Sequence, residues 1–289
     1  MKKLFTVFFS LIIIQASVFG QFDDRLDYLT DKEVGKFIQP FVNYVGTSLN
    51  SGMYHTASVS DVFGFSFGFQ GMLVFIPEDQ KTFTPVLDKA GYTADKPTAT
   101  IFGKEGAYYS GPEGYIVFPA GLDLNNVPMF VPQIGISTFG TELLVRFIPK
   151  ISLGENELGY WGVGVKHSIS RYFPLPLDVA AQVFYSKLEV TDIMTSKNLS
   201  INLLASKNFT LVCLYGGIQI ESSSMNLKYT FKDPSGLYGG ERKIELDIDG
   251  ENTFRFTLGA ALELGFIVLN ADYSIGNQSV INGGLSFEF

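Results

Sequence analysis

From Ile281 onward, apolar or glycine positions (Ile281, Gly283, Leu285, Phe287, Phe289) alternate with small or polar ones (Asn282, Gly284, Ser286, Glu288). A period of two is that of a β-strand with one greasy face and one wet face. The same period recurs upstream. Phe254, Phe256, Leu258, Ala260, Leu262 and Leu264 oppose Arg255, Thr257 and Glu263, and Ile267, Leu269, Ala271, Tyr273 and Ile275 oppose Asn270, Asp272 and Ser274. Leu177, Val179, Ala181, Val183 and Tyr185 oppose Asp178, Gln182 and Ser186, while Val163, Val165 and Ile169 oppose Gly164, Lys166 and Ser168. Further strands are expected over 133–139 and 141–148, hinged at Gly140, and over 199–205. A long ribbon, 209–231, is expected to turn at 232–236, with 244–248 continuing a tall loop. In the first clear strand, 62–76, Phe63, Phe65, Phe67 and Phe69 share one face. Such a face invites aggregation in water and is at home against lipid.

Ten to twelve such strands, with short turns alternating with long excursions, predict an all-β fold, an antiparallel transmembrane β-barrel. A soluble lipocalin-like barrel would turn its greasy face inward. Here the broad face carries the aromatics and the narrow face the charges, so the broad face is expected to meet lipid. Glu142, Arg146, Lys166, Asp178, Arg255, Glu263, Asp272 and Glu288 all fall on the polar parity and are expected to face the lumen. Buried charges need partners, so these either pair with one another and fill a small barrel or line a path through a wider one. Glu142 and Arg146 share a parity four residues apart and should reach different cross-strand partners.

Two stretches break the period. Between 30 and 49, Val34, Phe37, Ile38, Phe41, Val42, Val45 and Leu49 recur at three- and four-residue steps, one stripe of a helix. Thr30 with Glu33 reads as a capping box, and Pro40 should kink or split the helix. Residues 21–58 are therefore assigned to a helical plug or mouth segment, with Phe37, Phe41 and Val45 on its packing face; 59–289 form the barrel. A helix on the outside of a soluble sheet is the competing assignment. Residues 77–131 are rich in Pro and Gly and poor in alternation. They are expected to form an extracellular loop with an inward-folded hatch, with strand pieces near 99–102 and 115–118. There Tyr108, Tyr109 and Tyr115 line a ligand path or anchor the loop at the membrane interface.

Composition supports the barrel: 27 Phe and 30 Gly stand beside only 17% charged residues. Residues 1–20 have the basic start, apolar middle and small-residue end of a secretory signal peptide, with no Cys at the cut. Beyond them no run of eighteen apolar residues remains for a membrane helix. The single Cys213 forms no internal disulfide and reads as a small strand residue. A net charge of −8 argues against nucleic acid. His55 and His167 sit in no metal spacing, and His167 and Ser168 project to opposite faces of one strand. No catalytic residues, metal or cofactor are expected.

Asn282, Gly284, Phe287 and Phe289 at the end of the chain resemble the C-terminal signal read by the outer-membrane barrel assembly machinery. The stretches at 39–57, 98–103, 132–149 and 159–178, above all Gly-Thr-Glu…Val-Arg…Pro and Gly-Val-Lys-His-Ser-Ile, resemble an uncharacterised outer-membrane family of Gram-negative, Bacteroidota-type bacteria. More distantly the chain is similar to the long-chain fatty-acid transporter superfamily, barrels with an N-terminal hatch. That resemblance implies up to fourteen strands and passive transport of a hydrophobic or amphipathic small molecule. It implies outer-membrane lipid, the assembly machinery and a hydrophobic ligand as partners. The alternative is a structural or assembly barrel with a sealed lumen.

Overall fold

The computed structural model describes residues 29, 31–87, 90–153, 156–231 and 242–289. The leader at 1–20, the capping residue Thr30 and the ribbon turn at 232–236 lie outside the described residues. Helix α1 (Asp31–Leu49) precedes strand β1 (Gly64–Phe75). An insert follows, carrying β2 (Thr82–Phe83), β3 (Thr98–Ala99), β4 (Tyr108–Gly111) and β5 (Gly114–Val117). Then come β6 (Asn126–Thr138), β7 (Thr141–Leu153), β8 (Asn156–Ser168), β9 (Asp178–Val190) and β10 (Met194–Phe209). The last five are β11 (Val212–Phe231), β12 (Arg242–Asp249), β13 (Phe254–Leu264), β14 (Ile267–Ile275) and β15 (Val280–Glu288).

Ten strands close into a ring in the order β1, β6, β7, β8, β9, β10, β11, β13, β14, β15. The ring shuts through nine antiparallel pairs between β15 and β1, from Ser66↔Glu288 to Val74↔Val280. Closure leaves no row of unpaired backbone groups, as a strand wall in hydrocarbon requires. The outward parity is apolar: Leu258 is 63% and Ile220 66% exposed, and Phe254 and Phe256 stand out beside them. The inward parity holds Arg255, Thr257, Asn270 and Asp272, all buried. This is the fold of an outer-membrane β-barrel. No described helix is long and apolar enough to cross a membrane.

β12 and β13 follow β11 as one descending strand interrupted by a bulge. Ile220 pairs with Phe254 and Ser224 with Asp249, so residues 221–223 face residues 250–253, three against four. The end of the barrel where β1 starts and β15 stops is the near end. The insert and the β11–β12 ribbon stand at the other, the hatch end.

Three elements differ from the sequence reading. β6 starts at Asn126, so residues 126–131 belong to the wall and not to the 77–131 hatch. Pro128 suggested a loop, but it and Pro132 turn their nitrogens away from β1, the strand with which this stretch pairs. Phe65 N and Phe75 N donate towards β15, so β1's even residues face β6, and their partners in β6 are odd-numbered. The even-numbered prolines therefore lose no bond to β1. β10 spans Met194–Phe209 in place of 199–205, because its inward Ser196, Asn198 and Ser200 imitate a polar loop. α1 runs unbroken through Pro40, whose carbonyl accepts from Gln278 Nε2 at 3.0 Å. Burial of the helix from Pro40 to Leu49 outweighs the single donor that proline removes.

Candidate functional site

Ten strands enclose more space than wall side chains alone can fill, since about eight is the limit for a packed interior. α1 takes up that space in the hatch-side half. Its apolar stripe meets the insert. Phe41 and Tyr44 lie 6.4 and 6.1 Å from the Phe102 ring, and Ile101 N donates to Phe37 O at 2.9 Å. Phe37, Phe41 and Val45 are fully buried. Its polar stripe meets the bulge between β12 and β13. Gln39 Nε2 donates to Asp249 O, Asn43 Nδ2 to Glu251 Oε2 and Asn252 Nδ2 to Asn43 O, each at 2.9 Å. At Gly46 the helix comes so close to β11 that a Cβ would overlap Ser223, and only glycine permits the approach.

The end of the helix is closed locally, with Asn50 N donating to Gly46 O at 3.1 Å and Ser51 N to Ser48 O at 3.2 Å. The carbonyls of the three residues that follow α1 take their donors from the wall. Gln219 Nε2 donates to Asn50 O at 3.1 Å, Arg146 Nη1 to Ser51 O at 2.8 Å, and Arg146 Nη2 to Gly52 O. From across the lumen Arg255 Nη1 donates to Ser51 Oγ, while Arg255 Nη2 holds Glu221 Oε1 at 2.7 Å. β7 and β13 stand five places apart in a ring of ten, on opposite walls. Ser51 is therefore held near the barrel axis. Cations at this terminus also complement the helix dipole.

The eight charges on the polar parity separate by partner. Glu142 and Lys166 are directly opposed across β7 and β8 and bond at 3.2 Å; Lys166 also reaches Thr56 O at 3.3 Å. Arg146 meets the plug carbonyls and Gln133 Oε1 (3.0 Å), with the Phe184 ring 5.4 Å away. Asp272 accepts from Tyr215 Oη at 2.9 Å and Asn282 Nδ2 at 2.5 Å. Glu288 lies 3.0 Å from His55 Nε2. Glu263 and Asp178 sit half-buried at the near rim. Glu142 and Arg146 thus reach different partners, and only Glu142–Lys166 joins two of the eight. The sequence reading did not single out Glu221, Gln219 or Asn43. Gln219 and Glu221 alternate with Ile218 and Ile220, so their parity was available; the bulge that meets Asn43 was not.

Below the plug, a cavity of about 470 Å³ opens at the near end, lined among others by Tyr54, His55, Glu142, Lys166, Glu263 and Glu288. Beside the helix terminus, the space narrows to a void of about 10 Å³ between Asn50, Tyr54, Arg255 and Asp272, room for one water. In the final strand Asn282 points inward, Phe287 stacks on Phe67 at 4.9 Å, and Phe289 is 70% exposed. Gly284 lies against the side chains of Gln70 and Asn270, which leave no room for a Cβ. Tyr108 and Tyr115 are exposed and pack edge-to-face, whereas Tyr109 is buried and donates to Lys96 O at 2.8 Å. His167 bonds Thr141 Oγ1 (2.8 Å) and Tyr172 Oη (2.9 Å). Among the described residues no three His, Cys, Asp or Glu side chains gather as a metal site.

A family model described as "Family of unknown function (DUF6588)" matches residues 1–289, and the chain belongs to that family. No curated protein matches the chain. Among solved structures it is similar to Ail, the attachment invasion locus protein of Yersinia pestis, at 11% identity and a TM-score of 0.25 over 78% of this chain and 97% of that one. It is similar to a loop-deletion variant of OmpT from Vibrio cholerae at 14% identity and a TM-score of 0.29 over 78% and 76%. The β domain of the Bordetella autotransporter BrkA gives 11% identity and a TM-score of 0.31 over 79% and 100%. At such scores these likenesses add nothing to what the closed wall and its apolar outside establish.

Proposed function

We propose that this member of a family of unknown function sits in the outer membrane as a barrel kept shut by its own N-terminal helix. In this reading it is a structural or assembly barrel and not an open pore. What supports it is the placement of α1, buried from Pro40 to Leu49, tied to the bulge along its flank and followed at once by Ser51, which is bound from opposite walls. The near-end cavity stops short of the helix, at the segment from Met53 to Ser60 that follows it. Export by a cleaved leader and recognition of the last strand by the assembly machinery belong to the same proposal. They are supported by the leader-like start and by outward Phe287 and Phe289. In planar bilayers the full chain should carry no steady ion current, whereas a variant lacking residues 31–49 should conduct. A full chain as conductive as that variant would overturn the reading.

One observation favours a second reading, passive transport of a hydrophobic or amphipathic small molecule. The β6–β7 ladder runs over six pairs and ends at Gln133↔Arg146, although β1 and β6 pair over twelve and β7 and β8 over eleven. Above it the seam-facing residues of β6 include Pro128 and Pro132, which have no N–H to offer. Tyr44 on the plug donates to Pro128 O at 2.9 Å, so α1 touches this seam from inside. A ligand entering sideways from lipid would meet the plug there. The similarity to fatty-acid transporters and a Bacteroidota-type origin belong to this reading. Liposome uptake of a fluorescent fatty acid, unchanged by deleting residues 31–49 or 78–125, would count against it.

A further inference from the structure

On the outer wall near the hatch end, β7, β8 and β9 share a notch of about 170 Å³. It has two causes. The register of β7 on β8 slips between Ile148 and Ile151, a bulge that bends the strand, and Gly159 opposite brings no side chain. Ile148 and Tyr160, which belong to the inner face and are buried, are thereby reached from outside. Phe147 and Trp161 flank the notch, so its body is apolar. Its rim is charged: Lys150 bonds Glu157 at 3.2 Å and Lys187 bonds Glu189 at 2.6 Å. Towards the near end the same wall is Val163, Val165 and Val183, all outward and exposed. The rim therefore marks where the apolar band stops.

This arrangement has the chemistry of a lipid seat. The apolar body suits methylenes. The rim is net neutral with both signs side by side, so a wholly anionic headgroup would face Glu157 and Glu189 and a wholly cationic one Lys150 and Lys187. A zwitterion satisfies both. Carboxylates also accept hydrogen bonds, which a primary ammonium can donate and a trimethylated one cannot. Exposed ion pairs such as these contribute little, so opening them for a headgroup costs little. We propose that the notch binds one phosphoethanolamine lipid, with an acyl chain against Gly159, the phosphate at Lys150 and Lys187 and the ammonium at Glu157 and Glu189. The proposal rests on the reading that the outer wall faces lipid.

The chain has one tryptophan, Trp161, and it flanks the notch, so intrinsic fluorescence reports on the site directly. The full chain in lipid-free detergent micelles would be titrated with acyl-brominated phosphatidylethanolamine, phosphatidylcholine or phosphatidylglycerol. Phosphatidylethanolamine should reach half-maximal quenching at a mole fraction lower by about fivefold than the other two. Gly159→Leu should raise it to their level. A Cβ at Gly159 meets only Lys150 Cγ, at 3.2 Å within a flexible side chain, so this variant retains the fold. The double variant Glu157→Gln/Glu189→Gln should still be quenched but lose the headgroup preference. Equal quenching by all three lipids would overturn the proposal and leave the lipid-facing wall standing. No quenching by any of them would overturn both.

Discussion

The two halves of the lumen are lined by the same parity of the same strands, yet the half around α1 is mostly oily and the near half mixes polar groups with apolar ones. Around α1 the inward residues are Met72, Val74, Val131, Ile148, Leu188 and Met225. Towards the near end Gln182, Asn202, Thr257, Asn270 and Ser286 stand among buried Leu144, Phe184, Leu204, Cys213 and Val268. The difference follows from what each half encloses. A helix satisfies its own backbone, so the wall around its apolar stripe can be oily. Past Gly52 the chain is irregular, and each N–H and C=O must find a partner in the wall. Ser206 Oγ accepts from Ala57 N at 2.9 Å, Lys166 reaches Thr56 O, and Arg146 takes the carbonyls of Ser51 and Gly52. The polarity of the near half is a response to a coil inside it, and need not signify a water-filled path.

The contrast can be broken most severely in the oily half. Phe41→Ala should remove about 3–5 kcal/mol, the transfer loss plus a cavity the rigid wall cannot collapse into. Denaturant unfolding in micelles would read this as a lower midpoint. An unchanged midpoint would mean that α1 is loosely seated. Next in size is Arg146→Leu, which leaves two plug carbonyls unbonded at about 1–3 kcal/mol each. Its signature should be local: amide exchange accelerates over residues 50–57, while the first turns of α1 keep their protection. If exchange rises evenly along the whole helix, the arginine holds the plug as one body and not its terminus alone. In the near half Ser206→Ala should cost about 1 kcal/mol, because Ala57 N loses its acceptor. A neutral result would mean that water replaces the hydroxyl.

What alternation reveals follows the same division. β13 and β14 read cleanly because oily Phe254 or Leu269 faces one way and Arg255 or Asn270 the other. Near the hatch end both faces are apolar, as in Val127–Val131 or Leu158–Tyr160, and alternation vanishes. β6 was therefore begun late and its first residues given to the insert. Parity tells which side of a wall a residue occupies, and nothing of what stands opposite. The partners of Arg146 are carbonyls of a segment nearly a hundred positions earlier, and the bulge at 250–253 that receives Asn43 leaves no periodic trace. The helix itself was plain from its stripe. Its passage through Pro40 was not, since local propensity says nothing of the burial from Pro40 to Leu49.

The smallest effect is expected at the seam, where the oily half is closed by fewer rungs than elsewhere. Pro132 is the first residue above the last β6–β7 pair, and it faces β7 without an N–H. Pro132→Val restores the donor and lets the ladder climb one rung. The new bond contributes about 0.5–1.5 kcal/mol, and the freer unfolded chain withdraws about 0.4–1 kcal/mol. Net stability should therefore hardly move, and amide exchange is the sharper measurement. Protection should appear at residue 132 and rise at Phe147. If the seam admits a ligand from the bilayer, the same variant should slow fatty-acid uptake, whereas in a permanently sealed barrel there is no uptake to slow. An amide at 132 that exchanges as fast as an open one would show that the slip in β7, and not the prolines of β6, holds the two strands apart.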